Sequence, residues 1–265
     1  MKTTRIQVLI LTAILLLLTF NGFAQTWHKQ PSGILTIYYT SADKAALPEY
    51  EKLLTTGCNT VEKFFGKAYK QPFDVFIYPM RSALDSSMSI ELKIPHFNSE
   101  CWMVASGVAK KIDILSPGRW SSEACEHIYS DTIRTRNLFT HELVHVFHGQ
   151  LNASPDFSDV TDIDWFIEGL ATYASGQCDA KRIRDVQDYI QNDTLPASLD
   201  GFWIGKQKYG LAGTMVMFID TTYGHAKLME LIPFNRKEQI MQALATNDTT
   251  LISGWKKYMK EYASR

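Results

Sequence analysis

Residues 141–149 read HELVHVFHG, which places three histidines and one glutamate among apolar residues in a chain that has seven histidines. On an α-helix, His141 and His145 lie one turn apart and point in directions that differ by about 40°, so both imidazoles can bind one metal ion. Glu142 is rotated by about 100° from His141, so its carboxylate stands beside such an ion. This pattern is typical of zinc hydrolases, in which two histidines bind the metal and a glutamate acts as a general base.

The residues around this motif indicate that its helix is buried. They are Leu138, Phe139, Leu143, Val144, Val146 and Phe147. Buried imidazole and carboxylate groups without partners are costly, and a bound cation would remove that cost.

A catalytic zinc site needs a third protein ligand and an open fourth position. The pattern HExxHxxGxxH would supply a third histidine, but this chain has His148 at the glycine position and Leu151 at the last histidine position. Glu168 in WFIEGLATYAS, separated from His145 by 22 intervening residues, is the other candidate. It lies in a predicted helix whose small residues, Gly169 among them, would allow a close approach to the first helix.

HELVH followed by WFIEGLATYAS resembles the gluzincin zinc peptidases, above all the small bacterial peptidase MA-like group. The motif-bearing likeness covers about residues 100–235. It implies one zinc ion held by His141, His145 and Glu168, with Glu142 as the general base that activates water. A peptide or protein would be the substrate.

Two further features follow from this resemblance. The stretch YGLAGTMVMFIDTTYG resembles the gluzincin helix whose first tyrosine stabilises the oxyanion, which implies that role for Tyr209. The early strands resemble the small sheet of the family, whose edge strand pairs with extended substrate. No motif that would bind a free amino terminus is found, so the expected activity is that of an endopeptidase.

The fold class expected from the residue pattern is α+β, and the resemblance makes it zincin-like. Strands are predicted at 34–40 and 73–79, and a hairpin at 101–107 and 110–117, because these segments are rich in β-branched and aromatic residues. After about residue 120 the pattern is helical. We therefore expect an N-terminal α/β sub-domain over residues 25–120 and a helical sub-domain, carrying the zinc site, over 121–265.

Helix ends are also predicted. Gly149 is a candidate left-handed cap for the HELVH helix. Asp164 is a candidate N-cap for the helix of Glu168, and Gly176 is its expected stop.

Residues 1–24 have a basic start, an apolar run and small residues before Ala24, as in a secretory signal peptide. The protein is therefore expected to be secreted or periplasmic, and free of the membrane once the signal is removed. A net charge of −1 without a basic stripe argues against nucleic acid as a partner.

Four cysteines in an exported chain suggest disulfides. Cys101 and Cys125 form the preferred pair because they flank the predicted hairpin, and isolated buried thiols are the alternative for all four. The absence of a CxxC pair makes a cysteine-ligated zinc site improbable.

Two other functions stay open at this point. The chain could be a catalytically inactive zincin-fold module that binds peptide or cell-surface polymer, or an exported structural protein whose motif is accidental. His148 is interpreted as a structural or rim residue, and His96, His127 and His225 as surface residues.

Overall fold

A mixed five-stranded sheet forms the first half of the chain in a computed structural model that describes residues 26–91, 93–192 and 195–262. The strands are β1 (His28–Ser32), β2 (Leu35–Tyr39), β3 (Phe73–Tyr78), β4 (Ala105–Val108) and β5 (Lys111–Leu115). Their order is β1-β2-β3-β5-β4. The three inner strands are parallel, and each edge strand is antiparallel to its neighbour.

Helices make up most of the rest. They are α1 (Leu47–Phe65), α2 (Arg81–Glu91), α3 (Trp120–Glu123), α4 (Thr132–Leu151), α5 (Asp164–Ala174), α6 (Ala180–Gln191), α7 (Lys208–Tyr223), α8 (His225–Leu231), α9 (Lys237–Ala243) and α10 (Asp248–Tyr262). The expected α+β class is therefore confirmed. The division into sub-domains at residue 120 stays a prediction.

Edge strand β4 lies directly against helix α4, which carries HELVH. A Cβ atom added to Gly107 would lie 2.6 Å from the carbonyl oxygen of Glu142 and 3.1 Å from Cβ of His145. Only glycine allows this approach, because real Cβ contacts are not that short. The sheet edge is thereby held next to the two histidines.

Helix α5 packs closely on α7 as well as lying near α4. A Cβ atom on Gly169 would lie 2.4 Å from the carbonyl oxygen of Ala212. The expectation that Gly169 serves the approach to the HELVH helix is wrong, because this glycine faces α7. The approach still fixes the position of the neighbouring Glu168.

Two predicted helix boundaries are also wrong. Helix α4 continues through Gly149 to Leu151. A Cβ atom at Gly149 would lie 2.6 Å from the carbonyl oxygen of Pro155. That glycine allows a loop to pack close to the helix and is not a cap. Asp164 is the first residue of α5 and Ile163 is its N-cap. The expected stop at Gly176 is confirmed, with φ of +80° just after the helix.

The first strand of the hairpin begins at residue 105 rather than at 101. The Arg81 guanidinium donates hydrogen bonds to the carbonyl oxygens of Cys101 and Met103. These carbonyls are therefore held by a side chain and not by a strand ladder.

The preferred disulfide is confirmed. Cys101 and Cys125 are bonded, and they join the loop before β4 to the loop before α4. Cys58 and Cys178 are free thiols, the first of them buried.

The predicted signal peptide, residues 1–24, lies outside the described residues. Within the described part of the chain, no helix combines the length and apolar character that crossing a bilayer requires.

Candidate metal centre

Two helices bring together the three predicted metal ligands. His141 and His145 project from α4, and Glu168 projects from α5 towards them. Nε2 of His141 lies 3.0 Å from Nε2 of His145 and 3.3 Å from Oε2 of Glu168. Nε2 of His145 lies 3.6 Å from the same carboxylate oxygen. Both histidines are buried, and a quarter of the Glu168 side chain is exposed.

These separations fit a zinc site. Ligand bonds of about 2.0–2.1 Å in tetrahedral geometry place ligand atoms about 3.4 Å apart. Two imidazole nitrogens 3.0 Å apart can share one proton in an N–H···N hydrogen bond, or can both direct their lone pairs at one cation. Two nitrogens and one carboxylate oxygen form a donor set that suits zinc.

Gln177 orients the first of these imidazoles, a role that the sequence pattern did not reveal. Its Oε1 lies 3.1 Å from Nδ1 of His141. Because an amide oxygen only accepts hydrogen bonds, Nδ1 carries the proton and Nε2 keeps its lone pair for the cation. Gln177 lies just beyond the end of α5, so this contact arises from the way that α5 packs on α4.

We expect Gln177→Leu to raise the zinc Kd by about 10- to 100-fold, since it removes the group that fixes the His141 tautomer and ring orientation. Competition with a chromophoric chelator would measure the Kd. Gln177→Glu keeps an acceptor at the same position and is the matched control. An unchanged Kd in the leucine variant would show that the hydrogen bond does not orient the ligand.

Glu142 lies beside the three ligands, and its residue is only 5% exposed while it lines the cleft described below. Burial raises the pKa of its carboxyl group, with a further rise from Glu168 and an opposing effect from the two histidines. A carboxylate in this environment accepts a proton more readily than one in water, as a general base must.

The pKa of the Glu168 carboxyl group is shifted in the opposite direction. Burial alone would raise its pKa, but the imidazoles of His145 and His141 outweigh burial and hold it well below its ordinary value. Burial alone would also lower the pKa of His145, which the carboxylates of Glu168 and Glu142 instead raise. Glu168 is thus kept as an anion facing the imidazoles, as a metal ligand must be.

Tyr209, the second residue of α7, lies at the same centre. Its ring centroid is 6.1 Å from that of His141. Burial raises the pKa of the phenol, and the carboxylates of Glu168 and Glu142 raise it further. The hydroxyl group therefore stays protonated and can donate a hydrogen bond at neutral pH.

An open cleft of about 610 Å³ leads to the centre. Residues 102–105 form one wall, and α4, the start of α6 and the residues around Tyr209 form the others. The Lys208 ammonium lies 4.3 Å from the Trp102 ring centroid and 4.5 Å from that of Trp203, so it links two of these walls.

The other histidines differ in their surroundings. His148 is fully buried against Phe157 and Phe166, and burial beside His145 lowers its pKa to about 3. It is a neutral core residue, as the structural interpretation expected. His127 is predicted at the surface, but it is half-buried, and its Nε2 lies 2.9 Å from the Trp102 carbonyl oxygen. His96 and His225 are exposed.

Comparison with known proteins gives matches among solved structures only. No family model and no curated protein matches the chain. Native yeast LTA4 hydrolase is 14% identical with a TM-score of 0.49, and the match covers 88% of this chain and 37% of that one. The complex of yeast LTA4 hydrolase with bestatin is 14% identical with a TM-score of 0.46, covering 89% and 36%.

A zinc metallopeptidase of the M1 group from Deinococcus radiodurans is 13% identical with a TM-score of 0.45, covering 89% of this chain and 51% of that one. The chain thus spans about a third to a half of the length of these solved structures. The assignment of the metal centre rests on the side chains described above.

Proposed function

We propose that this chain is a secreted, zinc-dependent peptidase of the gluzincin type that hydrolyses internal peptide bonds. The observation that carries the proposal is the cluster of His141, His145 and Glu168, whose ligand atoms lie within 4.8 Å of one another, with Glu142 beside them on an open cleft. The Cys101–Cys125 disulfide supports export, because disulfides persist in oxidising compartments.

One zinc ion in this centre would supply Lewis-acid chemistry, activating a water molecule and polarising the scissile carbonyl. Glu142 accepts the proton of the attacking water and then delivers it to the departing amine. Its burial, which raises the pKa of the carboxyl group, suits both transfers. The three ligand side chains hold their positions through α4 and α5.

Substrate binding would use the wall formed by residues 102–105. Val104 and Ala105 line the cleft where edge strand β4 begins. Within the described residues, no strand pairs with the outer edge of β4. An extended peptide could pair with that edge and bring its backbone across the metal centre. The lack of an amino-terminus-binding motif favours cleavage of internal bonds.

Tyr209 would donate a hydrogen bond to the carbonyl oxygen as negative charge develops on it. We expect Tyr209→Phe to lower kcat by about 100-fold while zinc affinity stays unchanged, because one oxyanion donor contributes roughly that much. Steady-state kinetics on a fluorogenic peptide would measure kcat. Tyr223→Phe, at the far end of the same helix, is the control. A phenylalanine variant with wild-type kcat would remove Tyr209 from the reaction.

The proposed function is tested by assaying zinc-loaded protein on unfolded casein and on a library of blocked decapeptides. Cleavage of internal bonds should stop with a chelator and return with one equivalent of zinc. Protein that binds one zinc ion and cleaves none of these substrates would instead be the peptide- or polymer-binding module.

A further inference from the structure

Arg182 presents a positioned cation to the cleft. It belongs to the first turn of α6, and its Nη1 donates a hydrogen bond to the carbonyl oxygen of Gln177 at 3.1 Å. Its guanidinium carbon lies 5.8 Å from the Tyr209 ring centroid. The aliphatic part packs on Gly210, where a Cβ atom would lie 3.3 Å from Cγ of Arg182. These contacts fix the side chain against two elements beside the metal centre.

The guanidinium group has no counter-ion among the described residues. The two nearest acids in sequence are engaged elsewhere. Asp179 caps α6 by accepting a hydrogen bond from the backbone N–H of Arg182, and Asp185 pairs with Lys181 at 2.6 Å. Most of the guanidinium donors are therefore free to bind an anion that enters the cleft.

Other charges in the cleft favour the same kind of ligand. Arg136 and Lys206 also line it, and neither forms an ion pair within the described part of the chain. The acidic residues of the lining are Glu126, on the loop that follows the disulfide, and Glu142, Asp179 and Asp185. The wall formed by α4, the start of α6 and the segment before α7 thus carries five basic and three acidic side chains, and two of those acids, Asp179 and Asp185, are engaged as described above.

Arg182 is also close to the reacting centre. Gln177 and Tyr209, which hold its guanidinium group, both contact His141. Gln177 lies 3.1 Å from the His141 ring through a hydrogen bond, and the ring centroids of Tyr209 and His141 are 6.1 Å apart. A substrate carboxylate bound by Arg182 would therefore lie only a few residues, counted along the substrate, from the peptide bond under attack.

We infer that Arg182 binds a carboxylate of the substrate and makes the cleft selective for acidic peptides. This inference rests on the proposed function, since it names the substrate class of the same site. The carboxylate could belong to an aspartate or glutamate side chain or to the carboxyl terminus of the peptide. Both sources present the planar pair of oxygens that a guanidinium group binds.

The test uses zinc-loaded protein with Glu142→Gln, so that labelled peptides bind without being cleaved. A single glutamate is moved through each position of a neutral decapeptide with blocked ends, and a matched set carries glutamine. A third set carries a free carboxyl terminus at varied distances from the centre. Fluorescence anisotropy gives each Kd.

We expect at least one glutamate position, or one carboxyl-terminal distance, to bind about tenfold more tightly than its neutral match. Arg182→Gln should abolish that preference, and Arg184→Gln, at an exposed position of the same helix, should keep it. The set that shows the preference identifies the source of the carboxylate.

Equal Kd values for acidic and neutral peptides, or a preference that survives Arg182→Gln, would overturn the inference. A loss of affinity in Arg182→Gln that is the same for acidic and neutral peptides would also overturn it, since that indicates a purely structural residue. The zinc-loaded protein with Glu142 intact could cleave no peptide while the acidic preference in binding is retained. That result would refute the proposed peptidase activity and leave the carboxylate-binding role of Arg182 standing.

Discussion

Glu142→Gln should leave zinc bound and lower kcat by about a thousandfold. Glutamine has nearly the shape of glutamate but cannot accept the proton of the attacking water, and general acid–base catalysis contributes about 10²–10⁴ in rate. Glu142 lies beside the metal ligands without being one of the clustered atoms, so its loss should not release the ion. KM should change little, because Glu142 is assigned to proton transfer and not to substrate binding.

Peptide hydrolysis and zinc content should be measured on the same preparation of the variant. Glu230→Gln, an exposed carboxylate that pairs with Lys227, is the matched control and should keep the wild-type rate. A Glu142→Gln variant that cleaves as fast as wild type would show that another group moves the proton. One that loses both zinc and activity would place Glu142 among the ligands.

Glu168→Ala should raise the zinc Kd by more than about 100-fold. Replacement of a group that only supports a ligand costs 10- to 100-fold in metal affinity, so loss of a ligand should cost more. The variant also removes the negative charge that faces the two imidazoles at 3.3 and 3.6 Å. At a zinc concentration above the wild-type Kd and well below the raised Kd, zinc should then no longer stabilise the fold of the variant, because stabilisation by a ligand depends on its concentration relative to Kd.

Thermal unfolding with and without zinc would show this directly. Wild-type protein should melt at a higher temperature with zinc, and Glu168→Ala should melt at the same temperature in both conditions. Glu261→Ala changes an exposed carboxylate on α10 and should behave as wild type. A full zinc-dependent shift in Glu168→Ala would mean that a different residue completes the site.

Spacing and polarity along the sequence predict the candidate site residues His141, Glu142, His145 and Glu168. His141 and His145 are related by one helical turn, and Glu168 stands out because it is polar within an apolar segment. The Cys101–Cys125 bond was predicted for a similar reason, since the two cysteines flank one hairpin. In each case a short stretch of chain, or the burial of a polar residue, fixes which side chains lie near one another.

Features that depend on packing between distant segments could not be predicted in this way. Gln177 contacts His141 only because α5 and α4 pack side by side, and no spacing rule marks it. Gly149 is needed for a loop that passes close to α4, so its role was mistaken for that of a cap. Strand β1 was missed because its sequence, HKQPS, is polar and contains a proline, as edge strands tolerate.

Anomalous diffraction at the zinc absorption edge, from crystals of the zinc-loaded protein, tests the metal centre most directly. We expect one peak, about 2.0–2.2 Å from Nε2 of His141, Nε2 of His145 and a carboxylate oxygen of Glu168. A peak at another place, or a Glu168 carboxylate that lies well beyond bonding distance from the ion, would contradict the account.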